Sequence, residues 1–298
     1  MIRTRGLVKR YGTHAALDGV DLSVPAGSVY GLAGPNGAGK TTLLGILASL
    51  KVATQGEVTV EAAPGEIAVL PDTPRFDPWL TGREAVALAL TLGSRDHSST
   101  AGDDADRVEE VLSQTGLSEA SDRRCGGYSR GMLQRLGIAC TLVARPTLIL
   151  LDEPASALDP QGRREVLDLI STLRGQATVL FSSHILGDVQ EVCDTVGVLH
   201  HGRLLFQGPL SDLLVGRAVP RYVVKVRSNA APIAAALERS DWVRSATSTD
   251  GGVIHLEVTS LDEAERLLPS ALAAAGAAVV SLGPEEVSLE RAFLELTS

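Results

Sequence analysis

Cysteine and long apolar runs are scarce in this 298-residue sequence, and each scarcity argues against a class of protein. The three cysteines, Cys125, Cys140 and Cys193, are an odd number without C-x-x-C spacing, so neither a disulfide framework nor a zinc site is indicated, and a reducing, cytosolic compartment fits. Apolar runs fall far short of the roughly 20 residues that span a bilayer, so no membrane-spanning segment is predicted. The start of the chain, up to Gly6, has no apolar stretch after its basic residues, and no signal peptide is expected.

Positive charge is also in short supply. The chain has 27 lysines and arginines against 36 acidic residues, a formal net charge of −9. This excess of negative charge argues against broad electrostatic binding to nucleic acid or anionic lipid, so no nucleic-acid partner is expected. Lysine is the rarer basic residue, at only four positions, and Lys40 lies alone in a glycine-rich run. Its isolation suggests that the amine is needed there for its chemistry.

Hydropathy patterns over residues 1–215 alternate between strands and helices, which predicts a doubly wound α/β core. Alternating and polar patterns predict a strand over 20–24 and a surface loop over 94–104. A boundary near 210–220 separates this core from residues 216–298. There the pattern predicts a strand, a helix, a hairpin, a helix, a strand and a last helix beginning at Ser288, which together make a small accessory α+β domain.

A glycine-rich loop follows one predicted strand and precedes a predicted helix. Residues 34–41, GPNGAGKT, match the phosphate-binding pattern G-x-x-x-x-G-K-[ST]. The glycines allow backbone N–H groups to surround phosphate oxygens, and the helix N-terminus adds the positive end of its dipole. Lys40 is placed to reach the β- and γ-phosphates, and the Thr41 hydroxyl is placed to bind Mg²⁺. The motif therefore predicts a nucleoside triphosphate site.

Two carboxylates follow a wholly apolar strand. Residues 148–151, LILL, are followed by Asp152 and Glu153. Because ligands bind at the carboxyl ends of strands in open α/β sheets, we expect both side chains at the nucleotide site. Asp152 would hold Mg²⁺, directly or through water, and Glu153 would orient and deprotonate the attacking water. Together with the glycine-rich loop, the pair predicts a P-loop nucleoside triphosphatase.

Further segments indicate a particular family. Residues 128–135, YSRGMLQR, resemble the signature segment of ABC ATPases, Ala157–Asp159 resembles their D-loop, and Ser182–His184 resembles their switch histidine. Tyr11 lies where that family stacks an aromatic ring on adenine. Since all of these occur in the family's order within residues 1–215, the chain resembles an ABC-transporter ATP-binding subunit.

The resemblance implies a P-loop NTPase core of ABC-ATPase type over residues 1–215, with a helical subdomain at about 75–145, beside the C-terminal α+β domain. It also implies a head-to-tail dimer, homomeric or heteromeric. Each ATP would be bound by one subunit's phosphate loop and covered by the other subunit's signature helix, which Ser129 caps and Gly131 leaves unobstructed. His184 would contact the γ-phosphate; the alternative is a histidine that caps the following helix.

Motifs and resemblance together predict three groups of site residues. The catalytic group is Lys40, Glu153 and His184. The nucleotide-binding group is Tyr11, Gly34, Pro35, Asn36, Gly37, Ala38, Gly39, Lys40, Thr41, Thr42, Ser129 and Gly131. The Mg²⁺-binding group is Thr41, Asp72 and Asp152.

The chain departs from the family's commonest pattern at several positions. Arg130 replaces a glycine and Met132 a glutamine, a variant that resembles drug and antibiotic exporters and related ABC-2-type systems. Asp72 stands where the family usually has a glutamine, and either binds Mg²⁺ through water or is a plain turn residue. Nearby, Trp79 and Leu80 lie in a stretch that resembles the exporter surface facing the permease; core packing is the alternative for both.

Three functions are compatible with these patterns. The first is an energy-coupling subunit, cytoplasmic and peripheral on the inner face of the membrane, that powers a separate permease exporting drugs, antibiotics or lipids. The second is a soluble ABC ATPase acting on ribosomes or nucleic acid, which one ATP-binding half, the absence of a heptad run and the charge of −9 disfavour. The third is a regulatory nucleotide-binding module, which Asp72 permits and Glu153 and His184 oppose.

Overall fold

The computed structural model describes residues 1–93, 101–156, 158–215, 221–227, 229–249, 251–284, 293 and 296. The chain divides into two compact units. The first comprises Met1–Asp212 with Phe293–Ser298, and the second comprises Leu213–Ala292.

An antiparallel sheet opens the first unit. Its strands are β1 (Ile2–Tyr11), β2 (His14–Val20), β3 (Ser23–Val24) and β5 (Gln55–Val60), with β1 paired to the other three. The prediction of one strand over 20–24 is wrong, because the chain breaks between β2 and β3. The Thr4 hydroxyl fills the break: it donates to the carbonyl of Val20 at 2.8 Å and accepts from the amide of Leu22 at 2.9 Å.

A six-stranded sheet forms the centre of the first unit. In spatial order it contains β10 (Arg203–Pro209), β9 (Thr195–His200), β4 (Val29–Ala33), β8 (Thr178–Ser183), β7 (Leu148–Asp152) and β6 (Ile67–Leu70). All neighbouring strands are parallel except β10, which is antiparallel to β9. Every residue of β4, β7 and β8 is buried, as the apolar runs require of strands covered on both faces. The carboxyl ends of β4, β7 and β8 therefore meet at one edge.

Helices surround this sheet. They are α1 (Lys40–Leu47), α2 (Gly82–Gly93), α3 (Ala101–Gln114), α4 (Arg130–Leu142), α5 (Pro160–Thr172), α6 (Leu186–Val192) and α7 (Leu210–Val215), and α2, α3 and α4 pack on one another. Part of the expected loop over 94–104 is helical, because α3 begins at Ala101. Asp103 and Asp104 in its first turn suit the positive end of the helix dipole. Residues 94–100 lie outside the described part of the chain.

The second unit is a small α+β structure. Its elements are β11 (Arg221–Val226), α8 (Ala230–Leu237), β12 (Val243–Thr249), β13 (Val253–Val258), α9 (Leu261–Ala274) and β14 (Val279–Pro284). The antiparallel sheet has the order β12-β13-β11-β14, the arrangement of a split β-α-β-β-α-β motif. Val224, Ile254 and Leu256 of the sheet and Leu268 of α9 are fully buried in its core. The last helix predicted from Ser288 lies outside the described residues, apart from positions 293 and 296.

The three cysteines are all free thiols. Cys125 and Cys193 are buried, and Cys140 on α4 is partly covered. Burial raises the pKa of each thiol above its usual range, that of Cys140 to about 12. The native protein therefore holds these side chains as neutral thiols at ordinary pH.

We predict slow alkylation of the native protein by iodoacetamide at pH 8. A thiol with a pKa near 12 has about a thousandth of the thiolate of an ordinary cysteine, and only the thiolate reacts. Mass spectrometry with and without 8 M urea measures the difference, with glutathione as the reactivity control. Modification of Cys140 at the same rate in both conditions would contradict the prediction.

Candidate functional site

The glycine-rich loop joins the buried strand β4 to helix α1 in very little space. Gly39 is the N-cap of α1 with a φ of 109°, a left-handed conformation that favours glycine. A Cβ at Gly39 would lie 2.5 Å from the carbonyl oxygen of Ala16, and one at Gly34 would lie 2.2 Å from that of Leu199. The loop is therefore wedged between β2 and β9, and its shape depends on side chains being absent at these positions.

The Lys40 side chain closes the loop on itself. Only 6% of it is exposed, and its ammonium donates to the carbonyl oxygens of Gly34 at 2.7 Å and Pro35 at 3.3 Å. The same nitrogen lies 3.2 Å from Glu153 Oε1. One ammonium thus connects the start of the phosphate loop to the carboxylate that follows β7.

The end of β7 is held in place by its parallel neighbour β8. The Ser182 hydroxyl donates to Asp152 Oδ1 at 2.6 Å and accepts from the backbone amide of Glu153 at 3.0 Å. Asp152 is buried as a result, and the chain turns sharply after it. Glu153 has a φ of 50°, which is strained for a residue with a side chain. Ser182 thus holds the Asp152 carboxylate inside the protein, while the turn directs the Glu153 carboxylate towards other partners.

Glu153 lies between two nitrogen groups. Its Oε2 is 2.8 Å from His184 Nδ1, and its Oε1 faces the Lys40 ammonium. Oε1 is buried and ion-paired with Lys40, but no described residue gives it a well-aligned hydrogen bond, so part of its capacity as an acceptor is unused. The helix-capping alternative for His184 is excluded, because the N-cap of α6 is Ile185 and no side chain caps that helix.

These groups line one cavity of about 530 Å³. The predicted residues in its wall are Tyr11, Pro35, Asn36, Gly37, Ala38, Gly39, Lys40, Thr41, Thr42, Asp72, Glu153 and His184. Four other predicted residues are not part of that wall: Gly34, Asp152, Ser129 and Gly131. The wall also contains His14, Ala16, Arg130 and Ser156, which the sequence analysis did not assign to the site. Of these four residues, only Arg130 had a signal in the sequence, because it departs from the family's commonest signature.

Tyr11 lies at one end of the cavity wall, at the end of β1. Its side chain is 48% exposed, so part of the ring is accessible to a ligand. The ammonium of Lys9 lies 5.0 Å from the ring centroid, within the range of a cation–π contact.

Asp72 lies in the cavity wall beside the loop that follows β7. Its Oδ1 accepts from the Ser156 hydroxyl at 3.1 Å and its Oδ2 from the Thr73 hydroxyl at 3.4 Å. The carboxylate is exposed, and both contacts are to neutral hydroxyls. Asp72 is therefore more than a turn residue, since its side chain bridges two loops of the site.

The donor set suits Mg²⁺ bound together with a nucleotide. Mg²⁺ prefers oxygen ligands and is usually held by one or two protein groups plus phosphate and water. The exposed Thr41 hydroxyl at the start of α1 and the Asp152 carboxylate at the end of β7 are such groups. Within the described ranges, no group of three or more His, Cys, Asp or Glu side chains could hold a metal ion.

The signature segment begins helix α4. Ser129 is its N-cap, and the hydroxyl oxygen accepts from the amide of Met132 at 3.2 Å. A Cβ at Gly131 would lie 3.2 Å from a methyl group of Leu158, and the buried Gln134 amide donates to the carbonyl of Pro154 at 3.1 Å. Helix α4 thus packs on the loop that follows β7. Ala157, the first residue of the predicted D-loop, lies outside the described residues.

The parallel sheet, the glycine loop and the paired carboxylates together define a P-loop nucleotide site. The ABC transporter family model matches residues 17–156. An ABC transporter ATP-binding protein of Bacillus subtilis is 40% identical over 220 residues, which cover 72% of this chain and 72% of that protein. A daunorubicin resistance ATP-binding protein of Streptomyces coeruleorubidus is 33% identical over 306 residues, covering 99% of this chain and 95% of that protein.

A solved dimeric ATP-binding cassette in a post-hydrolysis state, bound to ADP and Pi, superposes with a TM-score of 0.65 at 25% identity, covering 70% of this chain and 99% of that one. This chain belongs to the family of ABC transporter ATP-binding proteins. It is an ABC-type ATPase subunit of a membrane transporter, and the predicted fold class and ATPase activity are confirmed. The alternative of an ATPase acting on ribosomes or nucleic acid is not supported.

No helix within the described ranges combines the length and the hydropathy that crossing a bilayer requires.

We predict that Gly39→Ala destabilises the protein by about 3 kcal/mol, against about 1 kcal/mol for Gly37→Ala. Both glycines have positive φ, so both substitutions carry backbone strain, but only the Gly39 methyl group would meet a backbone oxygen. Urea unfolding of the two variants compares the losses directly. Equal losses would show that the loop can move away from β2.

Proposed function

We propose that this chain binds ATP with Mg²⁺ and works as a head-to-tail dimer that powers a separate export permease. The observation that carries the proposal is the convergence of the phosphate loop, Glu153 and His184 on one cavity. ABC ATP-binding subunits dimerise and work with a permease, and the solved dimeric cassette is similar to this chain. The transporter places the ATPase on the inner, cytoplasmic face of the membrane.

Each group in the cavity has a chemical role in this proposal. The backbone amides of the loop surround the phosphates, and the Lys40 ammonium moves from the loop carbonyls to the β- and γ-phosphates. Thr41 and Asp152 would hold Mg²⁺, which would supply positive charge next to the transferred phosphoryl group. Tyr11 stacks on the adenine ring.

Hydrolysis needs a base next to the attacking water. Glu153 suits this role, because among the described residues its Oε1 is held only by the ion pair with Lys40, and it is released when that ammonium moves to the phosphates. His184 holds Oε2 and orients the carboxylate. It also lies in the cavity wall, where it can contact the γ-phosphate. Asp72 contributes a water-mediated contact to Mg²⁺ from the opposite loop.

The N-terminus of the signature helix is assigned to the partner's site. Ser129 and Gly131 lie outside the wall of the chain's own cavity, whereas Arg130 between them lines it. We assign the free amides of the helix start to an ATP across a dimer interface, and the Arg130 side chain to the chain's own nucleotide. The packing of Gly131 against Leu158 and of Gln134 against Pro154 ties this helix to the loop after Glu153. A change at one nucleotide can thereby be felt by the helix that covers the other.

A permease contact is supported by the surface near Trp79. The Trp79 side chain is 72% exposed, so core packing does not explain it, whereas Leu80 is partly buried. Leu88 and Leu92 on α2, further along the chain from Trp79, are also exposed apolar residues. We assign this surface, within the helical subdomain of residues 75–145, to the permease. We propose residues 1–215 as the ATP-binding domain and residues 216–298 as an accessory domain, of which Phe293–Ser298 group with the first compact unit.

The cargo is proposed to be a drug, an antibiotic or a lipid. The signature variant at Arg130 and Met132 points to exporters of this kind. The Streptomyces relative, which covers nearly the whole chain including the accessory domain, is named for daunorubicin resistance. The cargo itself is recognised by the permease.

We predict that Glu153→Gln retains ATP binding and dimerises with ATP, but loses about 10²–10⁴-fold in turnover, the range for a general base. The amide keeps the shape of the carboxylate and cannot accept the proton. Phosphate release and light scattering measure the two properties, with Glu119→Gln on an exposed surface as the matched control. Near-normal hydrolysis by Glu153→Gln would remove Glu153 from this role.

The permease proposal predicts that the tagged protein, carrying Glu153→Gln to trap the closed dimer, recovers a polytopic membrane protein in equal amount from detergent-solubilised membranes of its host. Trp79→Ala should reduce that recovery severalfold, because an aromatic side chain that becomes buried in an interface contributes much of the binding energy. Leu50→Ala, at an equally exposed apolar residue, is the control. Recovery of a dimer with ribosomal proteins and no membrane protein would favour the rejected alternative.

A further inference from the structure

An ion pair with a buried carboxylate lies close to the turn that carries the switch histidine. The side chain of Asp188 on α6 is only 4% exposed, while that of Arg163 on α5 is 32% exposed. The Arg163 Nε donates to Asp188 Oδ1, and Nη2 is in ion-pair contact with the same oxygen. Burial raises the pKa of the Asp188 carboxyl above its usual range, and Arg163 opposes that rise. Removing Arg163 would leave the Asp188 carboxylate buried and unpaired, so the arginine holds that carboxylate in place.

The pair is connected to the turn that carries His184. Asp188 Oδ2 lies 3.4 Å from the Ser183 hydroxyl, and the same hydroxyl accepts from the amide of Ile185 at 3.0 Å. These contacts fix the residues on both sides of His184. The imidazole then reaches Glu153 Oε2 at 2.8 Å. Polar contacts therefore run from Arg163 through Asp188 to the Ser183 hydroxyl, and the backbone of the turn links them to His184 and the proposed base.

The same pair is anchored to the start of α5. Asp159 caps this helix, and its carboxylate accepts from the amide of Gly162 at 2.9 Å, one residue before Arg163. Asp159 closes the segment that resembles the D-loop. A shift of this helix start would therefore reach Asp188 first and His184 next.

A second ion pair joins the far ends of the same two helices and differs from the first in its exposure to solvent. Arg174, just after α5, lies 2.8 Å from Asp194, just after α6, and both side chains are 49% exposed. Solvent-exposed pairs of this kind contribute little. The first pair has a buried carboxylate four residues after His184, whereas both side chains of the second pair are half-exposed and Asp194 lies farther along the chain.

We propose that Arg163 and Asp188 are positioning residues that hold His184 against Glu153 during ATP hydrolysis. The inference rests on the proposed role of His184. The pair touches no reacting atom, and it acts by fixing the backbone turn from Ser183 to Ile185. Its loss leaves the phosphate loop intact and misplaces the imidazole.

Steady-state hydrolysis of Asp188→Asn tests this first. We expect kcat to fall about 10- to 100-fold, the loss typical of an ångström-scale misplacement, with the ATP dissociation constant within about threefold of the parent value. Asp194→Asn makes the same charge change at the exposed pair and should leave kcat within about twofold. The proposal would be overturned if Asp194→Asn lowered kcat as much as Asp188→Asn does. An unchanged kcat in Asp188→Asn would also overturn it.

The decisive measurement repeats Asp188→Asn in a His184→Ala background under single-turnover conditions. If Asp188 acts through His184, the second substitution adds no further loss there. If Asp188→Asn lowers the rate as much in the His184→Ala background as in the parent, Asp188 has a merely structural role. That result would overturn this inference alone. If His184→Ala itself leaves hydrolysis unchanged, the proposed role of His184 and this inference both fail.

A folding control keeps the test interpretable. Thermal unfolding of each variant identifies any that lose structure. Should Asp188→Asn unfold, Arg163→Lys replaces it, since this variant keeps the charge and loses the two-nitrogen contact. When His184 is present, Arg163→Lys should lower kcat less than Arg163→Gln does. In the His184→Ala background, neither substitution should lower it further. Equal losses with and without His184 would overturn the proposal in this series too.

Discussion

The position of one carboxylate, that of Glu153, determines how the rest of the site is arranged. It lies between the Lys40 ammonium at 3.2 Å and the His184 imidazole at 2.8 Å. Those three residues come from the ends of three adjacent parallel strands, β4, β7 and β8, and the loops that follow them. Their meeting depends on the sheet, and the strained backbone of Glu153 is tolerated because Ser182 holds its amide.

Around that carboxylate, close backbone approach determines what can bind. The phosphate loop fits between β2 and β9 only because Gly34 and Gly39 have no side chains. The signature helix is attached to the loop after Glu153 through Gly131 and Gln134, and α5 and α6 are attached behind His184 through Arg163 and Asp188. A nucleotide that displaces Lys40 or His184 would therefore disturb contacts leading away from the site in two directions.

Much of the fold followed from local pattern, and the failures have physical causes. Strands β4, β7 and β8 were predictable because they are covered on both faces and are therefore apolar throughout. Strands β1 and β5 were not anticipated: β5 is almost wholly exposed, so burial leaves little pattern in its sequence. The break between β2 and β3 depends on the Thr4 hydroxyl, about 16 residues away along the chain, which no local window contains.

By itself, the sequence determined the class of chemistry, because a glycine loop with one lysine and a strand ending in two carboxylates have few other uses. Only the tertiary structure decided which groups face one another. It placed His14, Arg130 and Ser156 in the cavity wall, gave Asp72 a partner in Ser156, and set Asp188 behind His184. Such contacts join residues far apart in the chain, and their geometry depends on how strands and helices pack rather than on any spacing in the sequence.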